Sequence, residues 1–216
     1  MTRRGACGNA RPFTHFFLGA MIRPVRLSDA SAIANIYNPY IRDSIVTFEE
    51  IEIDAMEITR RIQAVEALKL PWLVWIETGE ADDKPIEELT EKPRDAEIDP
   101  PTETSGKVIG YAYAGKFRER AAYRFTVETA VYLDANQLGR GIGRILYQEL
   151  IKELKSRSLN RAIGVISLPN PASIKLHESV GFSKVGVLSA AGRKFDRWID
   201  VGLWELDLES VIASWC

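Results

Sequence analysis

The sequence predicts an α+β domain, with a mixed, mostly antiparallel central sheet flanked by helices. Three observations carry this reading. Segments with strand and helix periodicity follow one another in the order strand, helix, helix, strand, strand, strand, helix, strand, helix, strand, strand. At 46% hydrophobic residues in a chain of 216, there is enough apolar side chain for one sizeable core. No internal repeat is found, so the elements belong to a single non-repetitive domain.

From Met21, Ile22-Arg23-Pro24-Val25-Arg26-Leu27 alternates as a strand, and Ser28-Asp29 caps a helix whose apolar face carries Ile33, Ile36 and Tyr37. Asp54 and Glu57 have capping-box spacing, and Ile58, Ile62, Val65 and Leu68 share one face of the helix they open. Trp72 to Ile76 reads as a buried strand and Val108 to Ala114 as the next. Arg124 to Leu133 is a long strand with Phe125, Val127, Thr129, Val131 and Leu133 on one face and Glu128 on the other. The turn Gly139-Arg140-Gly141-Ile142-Gly143 leads into a helix with Leu146, Leu150 and Leu154 at every fourth position. Ala162 to Leu168 is a strand, after which Asn170 as N-cap and Pro171 at the first helical position start a helix that ends at Gly181. Phe182 to Ser189 and Trp198 to Leu208 are the last two strands.

Residues 80–105 break this pattern with ten acidic side chains, three basic ones and four prolines. They predict a disordered acidic insertion in a hairpin that Glu77-Thr78-Gly79 and Gly106-Lys107 would otherwise close. Removing it should leave the fold intact, since each doubling of loop length costs only about 0.6 kcal/mol. Residues 1–20 contain Arg3, Arg4 and Arg11 and no acidic residue, which predicts a disordered N-terminal extension or a targeting segment ahead of a domain at 21–208, with 209–216 as a tail.

The 28 basic and 30 acidic side chains leave a net charge of −2, so there is no general field to collect nucleic acid or an anionic membrane. An anionic ligand must be held by a local cluster. No apolar run approaches the roughly 20 residues that span a bilayer, so no membrane partner is expected. Cys7 and Cys216 are the only cysteines, which excludes a disulfide scaffold and suits a reducing, cytoplasmic setting, with organellar targeting as the alternative. With His15 and His177 as the only histidines, no zinc-type ligand cluster can be assembled.

The glycine-rich turn has the chemistry of a phosphate site. Glycines let backbone N–H groups approach an anion, the following helix dipole adds partial positive charge, and Arg140 and Arg144 add full charges. A dinucleotide fingerprint fails, because Arg144 stands where a third glycine is needed, and no phosphate-loop Gly-Lys-Ser/Thr is present. A pyrophosphate site of another kind, or a purely structural turn, is left. Glu128 is a lone carboxylate in an apolar strand beside this turn. Burial would raise its pKa toward the range of a general base; the alternative is a solvated side chain paired with Arg124.

The residues around the turn bear a specific resemblance. Tyr132-Leu133-Asp134, Gly141-Ile142-Gly143, Leu146-Tyr147 and the run from Leu168-Pro169-Asn170-Pro171-Ala172-Ser173 through His177 to Gly181-Phe182 resemble the acetyl-CoA motifs of the GNAT superfamily of N-acetyltransferases. Phe117-Arg118-Glu119-Arg120-Ala121-Ala122-Tyr123, leading through Arg124-Phe125 to Thr126-Val127-Glu128, and Gly192-Arg193-Lys194-Phe195-Asp196-Arg197-Trp198-Ile199-Asp200-Val201-Gly202 are similar to the phosphinothricin and methionine sulfoximine acetyltransferases. Together they cover residues 21–208 apart from the insertion.

This resemblance implies the GNAT fold, acetyl-CoA as co-substrate, no metal, and a small amino-acid-like acceptor such as phosphinothricin, methionine sulfoximine or methionine sulfone. It also implies a homodimer, to which apolar surface on the last strands would contribute. Cofactor contacts then fall to Val131, Tyr132, Leu133, Gly139, Arg140, Gly141, Ile142, Gly143, Arg144, Asn170 and Ser173, although helix capping alone also explains Asn170. Glu128 becomes the general base. His177, where many GNAT enzymes have Tyr, becomes the acid for the leaving thiolate or a CoA contact, with a structural histidine as the alternative. Phe48, Arg118, Arg120 and Tyr123 would line the acceptor site. Neither cysteine is placed to carry an acyl group, so direct attack in a ternary complex is expected.

One departure is Leu138, where the superfamily usually has Arg or Gln, with Gln137 one position off. Backbone N–H groups do most of the phosphate holding, so CoA binding should survive, at lower affinity. The rival readings are a GNAT enzyme for a peptide or protein N-terminus or a polyamine, and a non-catalytic acyl-CoA-binding module. Arg118 and Arg120 argue against a polyamine, which calls for acidic walls.

Overall fold

The structure is a computed structural model and describes residues 15–17, 19–78 and 106–209. The chain runs β1 (His15–Phe17), β2 (Ala20–Pro24), α1 (Ala30–Asp43), α2 (Ala55–Ala67), β3 (Trp72–Glu77), β4 (Lys107–Lys116), β5 (Thr126–Leu133), α3 (Ile142–Lys155), β6 (Arg161–Ser167), α4 (Pro171–Ser179), β7 (Ser183–Lys194) and β8 (Arg197–Asp207). The strands form one sheet in the order β1-β2-β3-β4-β5-β6-β8-β7. All neighbours are antiparallel except β5 and β6.

The predicted order of elements holds from β2 to β8, with differences at the edges. The sheet reaches back before Met21, because His15–Phe17 pairs with Ala20–Ile22 as an edge strand. β2 stops at Pro24, and Asp29, expected to cap α1, makes no side-chain cap there. Its carboxylate instead accepts two 2.8 Å bonds from the Arg23 guanidinium and one at 2.7 Å from the Arg26 N–H, tying strand to helix. Phe125 lies outside β5, in a turn where the Arg124 guanidinium sits 4.3 Å above its ring. β7 continues past Ser189 to Lys194. The expectations for residues 1–14, 80–105 and 210–216 lie outside the described residues.

Alternation in the strands gives the sheet two buried faces. On one, Leu146, Tyr147, Leu150 and Leu154 of α3 pack on Val127, Leu133, Ala162, Ile166 and Trp204. On the other, Ile33, Tyr37 and Ile41 of α1 and Ile58 and Ile62 of α2 cover Val74, Ile76 and Tyr111. Each fully buried Val, Leu or Ile among them contributes roughly 1.5–3 kcal/mol. The α2 cap is as its spacing predicts, with Asp54 accepting from the Glu57 N–H at 2.8 Å.

The site depends on one irregularity. β5 and β6 pair only from Thr126↔Arg161 to Thr129↔Gly164, after which β5 runs on to Leu133 and β6 to Ser167 without pairing each other. β6 stays bonded to β8 as far as Ser167↔Val201, while β5 stays bonded to β4. The two strands therefore part in the middle of the sheet.

Candidate active site

Strand parity fixes what lines this parting. The Asp134 N–H donates to the Ile109 carbonyl at 2.8 Å, so Asp134 faces β4. Backbone groups alternate sides along a strand, so Tyr132 and Ala130 also face β4, and the N–H groups of Val131 and Leu133 point into the gap beside β6. The Leu133 carbonyl on that edge already accepts the Tyr40 hydroxyl at 2.7 Å. Two N–H donors thus front an opening at the centre of the fold.

The start of α3 adds more donors. Gly139 and Gly141 have φ of 79° and 80°, the left-handed conformation that glycine adopts without strain. Gly141 is the N-cap and offers no side chain, so among the described residues the N–H groups of Ile142 and Gly143 are left without an acceptor, and the dipole end of a 14-residue helix is open. A Cβ on Gly143 would stand 3.4 Å from Leu133 and 3.6 Å from Leu176, which places this turn directly against the free end of β5 and against α4. An anion is what such a cluster of N–H groups accommodates.

Asn170 and Ser173 sit across the gap at the start of α4, where the Ser173 N–H donates to Asn170 Oδ1 at 3.0 Å. Arg144 is exposed, while Arg140 is tied to Gln137 and lies 3.7 Å from Glu77, so part of its charge is spent within the protein. Among the described residues, no group of three or more His, Cys, Asp or Glu side chains could hold a metal ion.

Glu128 lies on the opposite face of β5 from the α3 packing, between Gly115 of β4 and Ile163 of β6. Its side chain reaches water, yet enough protein surrounds the carboxylate to dehydrate it in part and raise its pKa. Next to it on the same face, Tyr132 meets Tyr37 and Tyr40 edge-on at 4.9 and 5.4 Å. Tyr113, opposite Ala130, stacks on Trp72 at 4.4 Å. The parting of β5 and β6 joins this aromatic-walled face to the N–H cluster behind it. Such an arrangement can seat an acyl carrier on one side and a nucleophile with its base on the other.

The acetyltransferase (GNAT) family pattern matches residues 63–182, which include β5, the glycine turn, α3, β6 and α4. The chain belongs to the GNAT family. It is an N-acetyltransferase with acetyl-CoA as co-substrate, which the uncapped α3 and the free edge of β5 fit. The chain is 33% identical to a phosphinothricin N-acetyltransferase of Streptomyces viridochromogenes over 87% of each chain. It is 30% identical to a methionine sulfoximine/methionine sulfone acetyltransferase of Pseudomonas aeruginosa over 89% of this chain and 96% of that one. A phosphinothricin acetyltransferase from Sinorhizobium meliloti, solved with acetyl-CoA, superposes with a TM-score of 0.72 at 30% identity and 88% coverage of each chain.

In this GNAT chain, the expected acceptor residues divide into two groups. Arg118, Arg120 and Tyr123 lie in the β4–β5 connection, which begins one residue beyond Lys116, the partner of Val127, and so adjoins Glu128. Arg118 and Arg120 are exposed and, among the described residues, have no acidic partner; Tyr123 is half-exposed and meets Phe117 edge-on. Phe48 lies instead in the α1–α2 loop, with its ring where a Cβ on Gly192 would be, 2.2 Å away.

His177, expected as an acid, a CoA contact or a structural histidine, is closed in by its neighbours. It is 6% exposed, packed edge-on to Tyr147 and Phe182 and against Gly164, and burial pushes its pKa below the usual imidazole value. Its Nδ1–H donates to the Ser173 carbonyl at 2.8 Å, which leaves Nε2 without a proton, buried and with no partner among the described residues. A neutral ring in this tautomer has no proton to give from Nε2.

Residues that sequence reasoning did not place at the site are Tyr40, Tyr113, Thr47 and Lys194. Tyr113 was within reach, since it alternates with Gly115 on the strand next to Glu128. Tyr40 and Lys194 act across 93 and 147 positions of sequence; no local pattern marks Tyr40, and the motif that holds Lys194 does not say what its side chain grips.

Proposed function

We propose that this enzyme acetylates the α-amino group of a small amino-acid-like acceptor, such as phosphinothricin, methionine sulfoximine or methionine sulfone, by direct attack in a ternary complex. Acetyl-CoA supplies an activated thioester. The single observation that carries the acceptor side is Glu128, a partly dehydrated carboxylate beside the parting of β5 and β6, where the sheet opens onto the N–H cluster.

An acceptor ammonium must lose a proton before its nitrogen can attack, and Glu128 takes it, directly or through water. The Val131 N–H faces the gap and donates to the carbonyl oxygen on which negative charge develops. Ile142 and Gly143 hold the diphosphate with their N–H groups, with the exposed Arg144 adding positive charge and Arg140 in support. Asn170 and Ser173 bound the groove from α4, where Asn170 also caps the helix. Arg118 and Arg120 attract the acceptor's anionic groups, and Tyr123 and Phe48 form walls. His177 serves as packing that fixes α4 against β6. The names of the relatives agree in supporting an amino-acid-like acceptor.

The experiment is a thiol-release assay with acetyl-CoA against methionine sulfoximine, phosphinothricin, a peptide with a free N-terminus and spermidine. Turnover with the first two and little with the others supports the reading. Turnover confined to the peptide or the polyamine replaces it, and no thiol release with any acceptor leaves an acyl-CoA-binding module.

A further inference from the structure

The motif Gly192-Arg193-Lys194 contributes nothing to the chemistry above, yet it holds the least expected side chain of the hairpin. Lys194 is 3% exposed. Its Nζ donates to the Thr47 carbonyl at 2.8 Å and lies 5.1 Å from the Phe195 ring, with the charges of Glu49 and Glu50 nearby. Burying an ammonium is expensive unless it is paired, and here it grips a backbone carbonyl in the α1–α2 loop. Two positions away in β7, Gly192 has an unstrained φ, so its backbone conformation does not require glycine; the Phe48 ring occupies the space of its missing side chain.

The same stretch of the loop is also fixed over β5. The Tyr37 hydroxyl lies 2.6 Å from Thr47 Oγ1 and donates to Glu49 at 3.2 Å, Glu49 is held by Arg61 at 2.7 Å, and the Tyr37 ring stands against Tyr132. A link that starts above Tyr132 of β5 and ends on Gly192 and Lys194, beyond the end of β6, has to cross the gap between these two strands. It crosses on the Glu128 face, away from α3 and its N–H groups.

We propose that Lys194 and Gly192 are positioning residues for the acceptor site: by fastening Thr47 and Phe48 across the parting of β5 and β6, they set the height of the wall that the acceptor meets, and so its selectivity. This rests on the assignment of the Glu128 face to the acceptor. The acetyl-CoA groove, built from the opposite side, should not sense them.

The test uses the full chain with Lys194→Met, Lys194→Arg and Gly192→Ala, in steady-state thiol release and in amide hydrogen exchange of residues 44–50. Lys194→Met and Gly192→Ala are expected to raise the methionine sulfoximine KM about tenfold with kcat within about twofold and the acetyl-CoA KM unchanged. Exchange in 44–50 should quicken in both, and Lys194→Arg, which keeps the bond to Thr47, should restore most of each effect. An unchanged acceptor KM, or a parallel rise in the acetyl-CoA KM, overturns the proposal. If Lys194→Met does not fold, Gly192→Ala decides by the same criteria. If the wild-type chain acetylates none of the amino-acid acceptors, the acceptor assignment has failed instead, and exchange alone decides the tether: unaltered exchange in 44–50 refutes it.

Discussion

Glu128 and His177 are both titratable side chains near the parting of β5 and β6, and their surroundings give them opposite fates. Glu128 is partly dehydrated but open, and its raised pKa suits the base proposed above. Glu128→Gln should lower kcat/KM for the acceptor about 100-fold or more while acetyl-CoA binding by calorimetry stays intact. In the wild type, activity should fall as pH drops through a midpoint above the usual glutamate value, because the carboxyl must be ionised to accept a proton. That limb should vanish in the Gln variant; a limb that persists there would belong to another group. His177 is closed in, and its lowered pKa means that the unfolded chain binds a proton at a pH where the folded one does not. Its contribution to stability is fully present above about pH 6.5, the ordinary imidazole value, and is lost as pH falls through the folded-state value. His177→Asn should lower stability by about 1–3 kcal/mol, flatten this pH slope in urea titrations, and leave kcat near wild type. A large loss of kcat with stability unchanged would restore the ring to the reaction. The sequence offered both residues as candidates, Glu128 as a lone carboxylate in an apolar strand and His177 through the family resemblance. It left their roles open, because burial and tautomer depend on Gly164, Tyr147 and Ser173.

The start of α3 is where element structure becomes binding chemistry. Gly141 at a φ of 80° turns the chain so that the first N–H groups of the helix face outward, and a Cβ there would meet open space, so any penalty is conformational rather than steric. Gly141→Ala should therefore destabilise the fold by about 1–2 kcal/mol, the usual penalty of the left-handed region, and weaken acetyl-CoA binding out of proportion to that loss. A Kd shift no larger than the stability change would mean that the turn does not aim at the phosphates. Periodicity and turn residues made α1 to α4 and β3 to β6 readable, since local propensity and burial agree in them. β1, and the extension of β7 to Lys194, were not readable, because their strand character comes from pairing with β2 and β8 rather than from an apolar alternation of their own.

Across the whole molecule, β7 and the start of β8 expose large apolar side chains: Val185 is 57% exposed, Leu188 53% and Trp198 68%. Apolar side chains exposed on an edge hairpin are the surface that the expected homodimer would cover. Sedimentation is expected to give twice the chain mass of 24.3 kDa, and Trp198→Glu together with Val185→Lys should yield monomers. A wild-type chain that sediments as a monomer at micromolar concentration would refute the dimer.

Taken by itself, the sequence determined the α+β class, the order of elements from β2 onward, the glycine turn, Glu128 and the resemblance that led to the family. These are local features, written in spacing and residue type within a few turns or one strand. Only the tertiary structure decided that β5 and β6 part after Thr129, that Phe48 rests on Gly192 and Lys194 on Thr47, and that His177 is shut into the core. Each of these joins segments far apart in the chain, and the free energy that fixes them comes from packing and hydrogen bonds that exist only once the sheet has closed.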